Sequence, residues 1–133
     1  MILADTSIWI DYFNGTVSKE TDHLDYALNE GTIAMGDIIF LEILQGFRDD
    51  KEFYRAKKTL STLDQYELFG SHMIEKCATN YRFLRKKGIT IRKTIDLIIA
   101  TFCIDNKIEL IFSDKDFVPF VKYLKLQKSQ AST

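Results

Sequence analysis

Proline is nearly missing from this chain of 133 residues: there is one, Pro119. Glycine is scarce as well, with six. Pro/Gly-rich linkers are therefore excluded, and tightly connected elements are expected. Cysteine occurs twice, at Cys77 and Cys103, with no metal-type spacing. Both read as small buried hydrophobes in a reducing compartment rather than as a disulfide framework or a zinc site. The two histidines, His23 and His72, have no partner pattern for zinc or nucleophilic chemistry. No apolar run approaches the roughly 20 residues that span a bilayer. Met1-Ile2-Leu3 meets an acid without a basic flank, which is not a signal-peptide pattern. A soluble, cytoplasmic protein is the expectation. There is no excess of positive charge either: the net charge is −1, so a globally basic surface cannot gather nucleic acid. Contact with phosphate would need a local basic patch or bridging metal ions.

What is present is one domain's worth of ordinary globular composition, 46% hydrophobic and 28% charged. The apolar stretch Ile95 to Ile104 stands out, with a single carboxylate, Asp96, at its start. Such a run reads as a buried helix, and a buried carboxylate needs a partner or neutralisation.

Short apolar strands are expected at Ile2-Leu3-Ala4, Ile33-Ala34-Met35 and Leu110-Ile111-Phe112, with weaker candidates at Tyr66-Glu67-Leu68 and, at the edge, Tyr123 to Leu126. Helical periodicity falls between them. A short helix capped by Thr6 or Ser7 runs through Trp9 and Phe13. Others cover Ser18 to Glu30 before Gly31, the segment after Asp37 that carries Glu42, and the region of Phe53, Ala56 and Leu60. Ser71 to about Lys87 is helical before Gly88, and Thr94 is placed to cap the apolar helix. This alternation predicts a single three-layer α/β/α domain over residues 1–126 with a short-stranded, mainly parallel sheet, followed by a polar, flexible tail over 127–133.

In such a sheet the strands end on one rim, where ligands bind. Asp5 and Asp114 stand at or just past strand ends, Asp96 in the first turn of a helix, and Glu42 about one turn into another. Two carboxylates 4 Å apart repel by about 4 kcal/mol at an effective dielectric near 20. Gathering four therefore requires protonation or divalent cations. An all-oxygen donor set selects Mg²⁺ or Mn²⁺ over zinc, and the matching chemistry is metal-assisted phosphodiester hydrolysis.

The opening Met1-Ile2-Leu3-Ala4-Asp5-Thr6-Ser7-x-Trp9-Ile10-Asp11-Tyr12, the helix Leu41-Glu42-Ile43-x-x-Gly46, the segment Asp96-Leu97-Ile98-Ile99-Ala100 and Ser113-Asp114-x-Asp116-Phe117 together resemble the PIN-domain ribonucleases, above all the VapC toxins of bacterial toxin–antitoxin pairs. The resemblance covers essentially the whole chain. It implies four catalytic and metal-binding acids at Asp5, Glu42, Asp96 and Asp114, with Asp116 as an additional ligand. It also implies Mg²⁺- or Mn²⁺-dependent cleavage of RNA, homodimerisation, and inhibition by a VapB-type antitoxin. Two positions depart from the family pattern: Gly36-Asp37 replaces a small hydroxyl residue before the glutamate helix, and Ser113 replaces threonine.

Several residues keep two readings. Asp37 and Asp116 serve either the site or a helix start. Thr6 either caps or contacts a phosphate or metal-bound water. The basic run Arg82, Arg85, Lys86, Lys87, Arg92 and Lys93 is either a solvated helix end or a guide for an RNA backbone, with Arg92 and Lys93 nearest the acids. Two other functions fit the same fold class. A non-cleaving module would bind RNA or a partner protein without turnover. A phospho-acceptor or phosphatase domain would need a second acid where Ser7 stands.

Overall fold

A computed structural model describes residues 1–131. Four three-residue strands form the sheet: β1 (Ile2–Ala4), β2 (Ala34–Gly36), β3 (Asp64–Tyr66) and β4 (Glu109–Ile111). β1 pairs in parallel with β4, Leu3 lying beside Leu110, and β2 pairs in parallel with β3, Met35 beside Gln65. A single parallel bridge between Ile2 and Ile33 joins the two pairs, giving the spatial order β3-β2-β1-β4. Leu3, Ala4, Ala34, Met35, Leu110 and Ile111 are all buried, as expected for parallel strands covered on both faces.

Seven α-helices cover this sheet: α1 (Thr6–Phe13), α2 (Lys19–Glu30), α3 (Asp37–Gln45), α4 (Asp50–Leu60), α5 (Ser71–Lys86), α6 (Thr94–Asn106) and α7 (Val118–Leu124). α1 packs on α2 and α3, and α3 on α4; separately, α5 packs on α6 and α7. The α/β sandwich expected from the alternation is therefore what forms. Local chemistry explains the element ends. Ser18 accepts from the N–H of Thr21 and the Thr21 hydroxyl answers from the N-cap N–H, a reciprocal cap. Gly31 closes α2 in the left-handed region at φ 72°. In α6 every residue from Asp96 to Cys103 is buried. Burial pushes the Cys103 thiol up to about 12, so it is an inert packing group. Among the described residues no helix is long and apolar enough to cross a membrane.

Four sequence expectations are corrected. Tyr123 to Leu126 is not a strand: α7 runs to Leu124, with Pro119 in its first turn and Lys125 as a left-handed stop at φ 68°. The buried pair Phe117 and Phe120, three apart, sets a helical period there. The weak strand at Tyr66–Leu68 lies two residues earlier, because Leu68 leaves the sheet to pack over Gly36. Thr94 is not the cap of α6; Lys93 occupies that position with no side-chain bond. Asp5 rather than Thr6 or Ser7 is at the N-cap of α1, which frees both hydroxyls for other partners.

The polar segment after Leu126 is also held more closely than its composition implies. The N–H of Leu110 donates to the Gln127 carbonyl, and the Ser129 N–H donates to the Leu110 carbonyl, both at 2.9 Å. Lys128 thereby adds a parallel bridge to the β4 edge. Ser129 is buried, its hydroxyl 2.8 Å from His23 Nε2. Ser132 and Thr133 lie outside the described residues.

Gly36 ends β2 at φ −96°, so no backbone strain requires glycine there. Space does: a Cβ would meet Leu68 Cγ at 2.7 Å. Gly36→Ala is expected to lower stability by about 1–3 kcal/mol through overpacking. Leu68→Ala should cost about 2–4 kcal/mol by opening a cavity. The double variant should lose less than the sum, because the smaller side chain removes the clash. Urea unfolding of the three variants checks this, and strict additivity would refute the packing account.

Candidate metal and active site

The acids reach one rim because each is placed by a short connection at the carboxyl edge. Asp5 follows β1 directly, its N–H still donating to the Ile111 carbonyl at 2.9 Å, so it is tied to both β1 and β4. Asp114 follows β4 and caps the 3-10 turn Lys115–Phe117 by accepting from the N–H of Asp116 at 2.9 Å. Asp96 lies in the first turn of α6. One carboxylate oxygen each of Asp96, Asp114 and Asp116 lies within 4.8 Å of the others.

Asp5 and Glu42 stand outside that closest trio but are connected to it. The charge of Asp5 is the largest electrostatic contribution opposing ionisation of Asp96, and Glu42 acts likewise on Asp5. Burial is the leading cause in both cases; it pushes Asp96 up to about 6 and raises Asp5. Glu42 is held by the Thr6 hydroxyl, which donates to Oε1 at 2.5 Å. The Ser7 hydroxyl donates to Asp5 Oδ2 at 2.8 Å. Consecutive hydroxyl residues after β1 therefore orient two different acids. The Ser7 contact was not anticipated, and an Asp-Thr-Ser run at a strand end is the signal that pointed to it.

Positive charge is sparse. Arg92 Nη2 donates to both Asp116 oxygens, at 2.9 and 3.1 Å, so Arg92 neutralises the outermost acid. Among the described residues this is the one ion pair at the rim; the other joins Lys76 to Asp105. Lys93 eases the ionisation of Asp96 through space only. Asp96 Oδ2 is buried without a hydrogen-bond partner. A buried orphan oxygen among oxygen-only donors fits a hard divalent cation, which would offset both desolvation and mutual repulsion. Asp37 does not join this group. Its Oδ1 accepts from the N–H groups of Ile38 and Leu68, at 2.7 and 3.0 Å, fastening the start of α3 to the exit of β3.

The sequence profile of the PIN domain matches residues 2–121. The chain belongs to the PIN-domain family. Across 96% of its length this PIN domain is 31% identical to Ribonuclease VapC11 of Mycobacterium tuberculosis and to a VapC ribonuclease of Mycobacterium bovis, covering 96% of each. Among solved structures it is similar to VapBC2 of Rickettsia felis bound to a promoter DNA fragment, at a TM-score of 0.76 and 20% identity, covering 99% of this chain and 100% of that one. VapBC-1 of Haemophilus influenzae gives 0.70 at 20% identity, with 98% of each chain covered. A toxin–antitoxin complex of Klebsiella pneumoniae gives 0.61 at 26% identity, covering 88% of this chain and 90% of that one.

The raised acids make the rim costly to fold without metal. Asp96 titrates near 6 when folded against an ordinary 3.8, so the folded state holds the extra proton between those values. Stability contributed by that proton is complete below about 3.8 and is lost as pH rises through about 6. In chelator, Asp96→Asn is expected to raise the urea midpoint at pH 7 and flatten the decline across this window, with Asp5 leaving a smaller residual slope. Unfolding curves from pH 3.5 to 7.5 check it; a variant less stable than the parent at pH 7 would refute the electrostatic reading.

Proposed function

We propose that this PIN domain is a Mg²⁺- or Mn²⁺-dependent endoribonuclease, the toxin of a toxin–antitoxin pair, acting in the cytoplasm. The observation that carries the reading is the buried, partnerless Asp96 oxygen beside Asp5, Asp114 and Asp116. Relatives named as ribonucleases over 96% of the chain support the same chemistry.

Asp5, Asp96 and Asp114 would hold the ion, with Asp116 joining when Arg92 releases it. The bound cation supplies Lewis acidity toward the scissile phosphate and its attacking water. The protein's own part is placement. Ser7 orients the Asp5 carboxylate, and Thr6 fixes Glu42, which faces Asp5 across the rim. Glu42, held apart from the ion-binding acids, is thereby set to accept a proton from the attacking water. Lys93, exposed at the start of α6, offers a positive charge to an approaching phosphate. Arg92 is less available for that role while it holds Asp116.

The neighbouring structures are toxin–antitoxin complexes, so a VapB-type antitoxin is the partner inferred here, with a homodimer as the inferred toxin assembly. A groove of about 530 Å³ between α1 and α4, with an apolar side of Ile10, Phe13 and Phe47 and a charged side of Arg48, Glu52 and Arg55, is a surface that such a partner would cover.

Purified protein should cleave RNA with Mg²⁺ or Mn²⁺ and lose the activity in chelator. Asp5→Asn and Asp96→Asn are expected to abolish cleavage while the fold survives. Thr6→Val, which removes only the donor to Glu42, should lower the rate by about 10–100-fold, the range for groups that orient ligands. Gel analysis of end-labelled RNA reads all four conditions. Undiminished cutting in either aspartate variant would overturn the assignment; stable RNA binding without product across metals would favour a non-cleaving module.

A further inference from the structure

The chain's positive charge is concentrated. From Tyr81 to Lys93 there are six basic residues and no acid; from Phe117 to Lys128 there are three more and again no acid. Packing of α5 on α7 brings these two segments together. At their contact the Lys87 ammonium lies 5.1 Å from the centre of the Phe83 ring and 5.0 Å from that of Tyr123, and Lys122 lies 5.1 Å from the Tyr123 ring. Both rings are open to solvent, Phe83 at 41% and Tyr123 at 36% exposure. Lys86, Lys87 and Lys122 have no carboxylate partner among the described residues.

The patch adjoins the acidic rim. Lys76 bonds Asp105 at 2.8 Å and Asn80 bonds Thr101 at 3.1 Å, so α5 runs antiparallel to α6. Extending that register by a turn and a half sets Leu84 to Lys87 beside the first turn of α6, where Asp96 lies. On the other side α7 follows the 3-10 turn of Asp116 without a break. Two arms of the site therefore lead onto one surface.

We propose that the α5–α7 surface centred on Phe83, Lys87 and Tyr123 binds the stretch of single-stranded RNA that flanks the scissile phosphate. The proposal rests on the ribonuclease reading for the identity of the ligand, but its own observations are the exposed rings and the unpaired lysines. Nucleobases stack on Phe83 and Tyr123 in place of the lysine ammonium, which moves to the adjoining phosphate with Lys86 and Lys122. A single strand is the occupant because a duplex buries its base faces, leaving nothing for the rings to meet. Charge complementarity supplies the attraction that the acidic rim alone would deny.

Fluorescence anisotropy of a labelled oligouridylate, measured with the full chain in chelator at several salt concentrations, tests this without turnover. Phe83→Leu and Tyr123→Leu keep apolar cover but remove the ring, and each should weaken binding at least about fivefold. Lys87→Gln and Lys122→Gln should each reduce the slope of log affinity against log salt by about 0.7. All four side chains are exposed, so thermal melting should be unchanged; Tyr123→Phe, which keeps the ring, should bind like the parent, and a loss there equal to that of Tyr123→Leu would overturn the stacking account. Equal affinity in the Phe83→Leu/Tyr123→Leu double variant overturns the proposal. So does equal affinity for a duplex of the same length, or loss of a protein partner with RNA affinity intact. Wild-type protein that binds the oligouridylate through these residues but never cleaves RNA with metal would remove the nuclease reading and leave the platform standing.

Discussion

Repulsion among carboxylates, of which the fold pairs only Asp116 with a cationic side chain, is the constraint around which this molecule is arranged. Asp96 sits at the head of a helix buried on every side, and one of its oxygens has no partner at all. Asp5 lies close enough to make the ionisation of Asp96 harder, and Glu42 acts in the same direction on Asp5. A chain free to relax would turn these side chains outward. Here the backbone holds their Cα positions together: Asp5 is bonded to Ile111 of β4, and α6 packs against β4 and the 3-10 turn that follows Asp114. The strain is tolerable only because hydroxyls and one arginine take up part of the load at the periphery, leaving the centre unsatisfied.

That arrangement divides the acids by position. Asp96, Asp114 and Asp116 crowd together, while Glu42 stands apart on α3, reached through Thr6. Arg92 occupies both oxygens of Asp116 from the outside of this group.

Much of this was legible in the residues. Strand-end positions of Asp5 and Asp114 followed from three-residue apolar runs, and the all-round apolar pattern after Thr94 located the Asp96 helix. What escaped were features set by tertiary partners. Tyr123 to Leu126 reads as a strand locally, yet Phe117 and Phe120 both need burial and only a helix turns them the same way. Gln65, exposed on an edge, offers no apolar signal, so β3 was displaced by two residues. For Arg92 the sequence leaves two readings open, a solvated helix end and a guide for an RNA backbone, because charge in a sequence carries no direction; the contact of its Nη2 with both Asp116 oxygens exists only once the two groups meet in space. Capping failed for a related reason: Thr6 and Ser7 satisfy the local rule, but the site claims their hydroxyls first.

The last described residues lie along β4 and are locked by Ser129 against His23. An outer strand with bare amides is a template for another molecule's backbone, the usual start of edge-to-edge aggregation. By covering that border with Gln127 to Ser129, the domain shields a short-stranded sheet from recruiting a stray chain. Self-protection of this kind costs nothing at the acidic rim, because the covering segment binds the flank of the sheet.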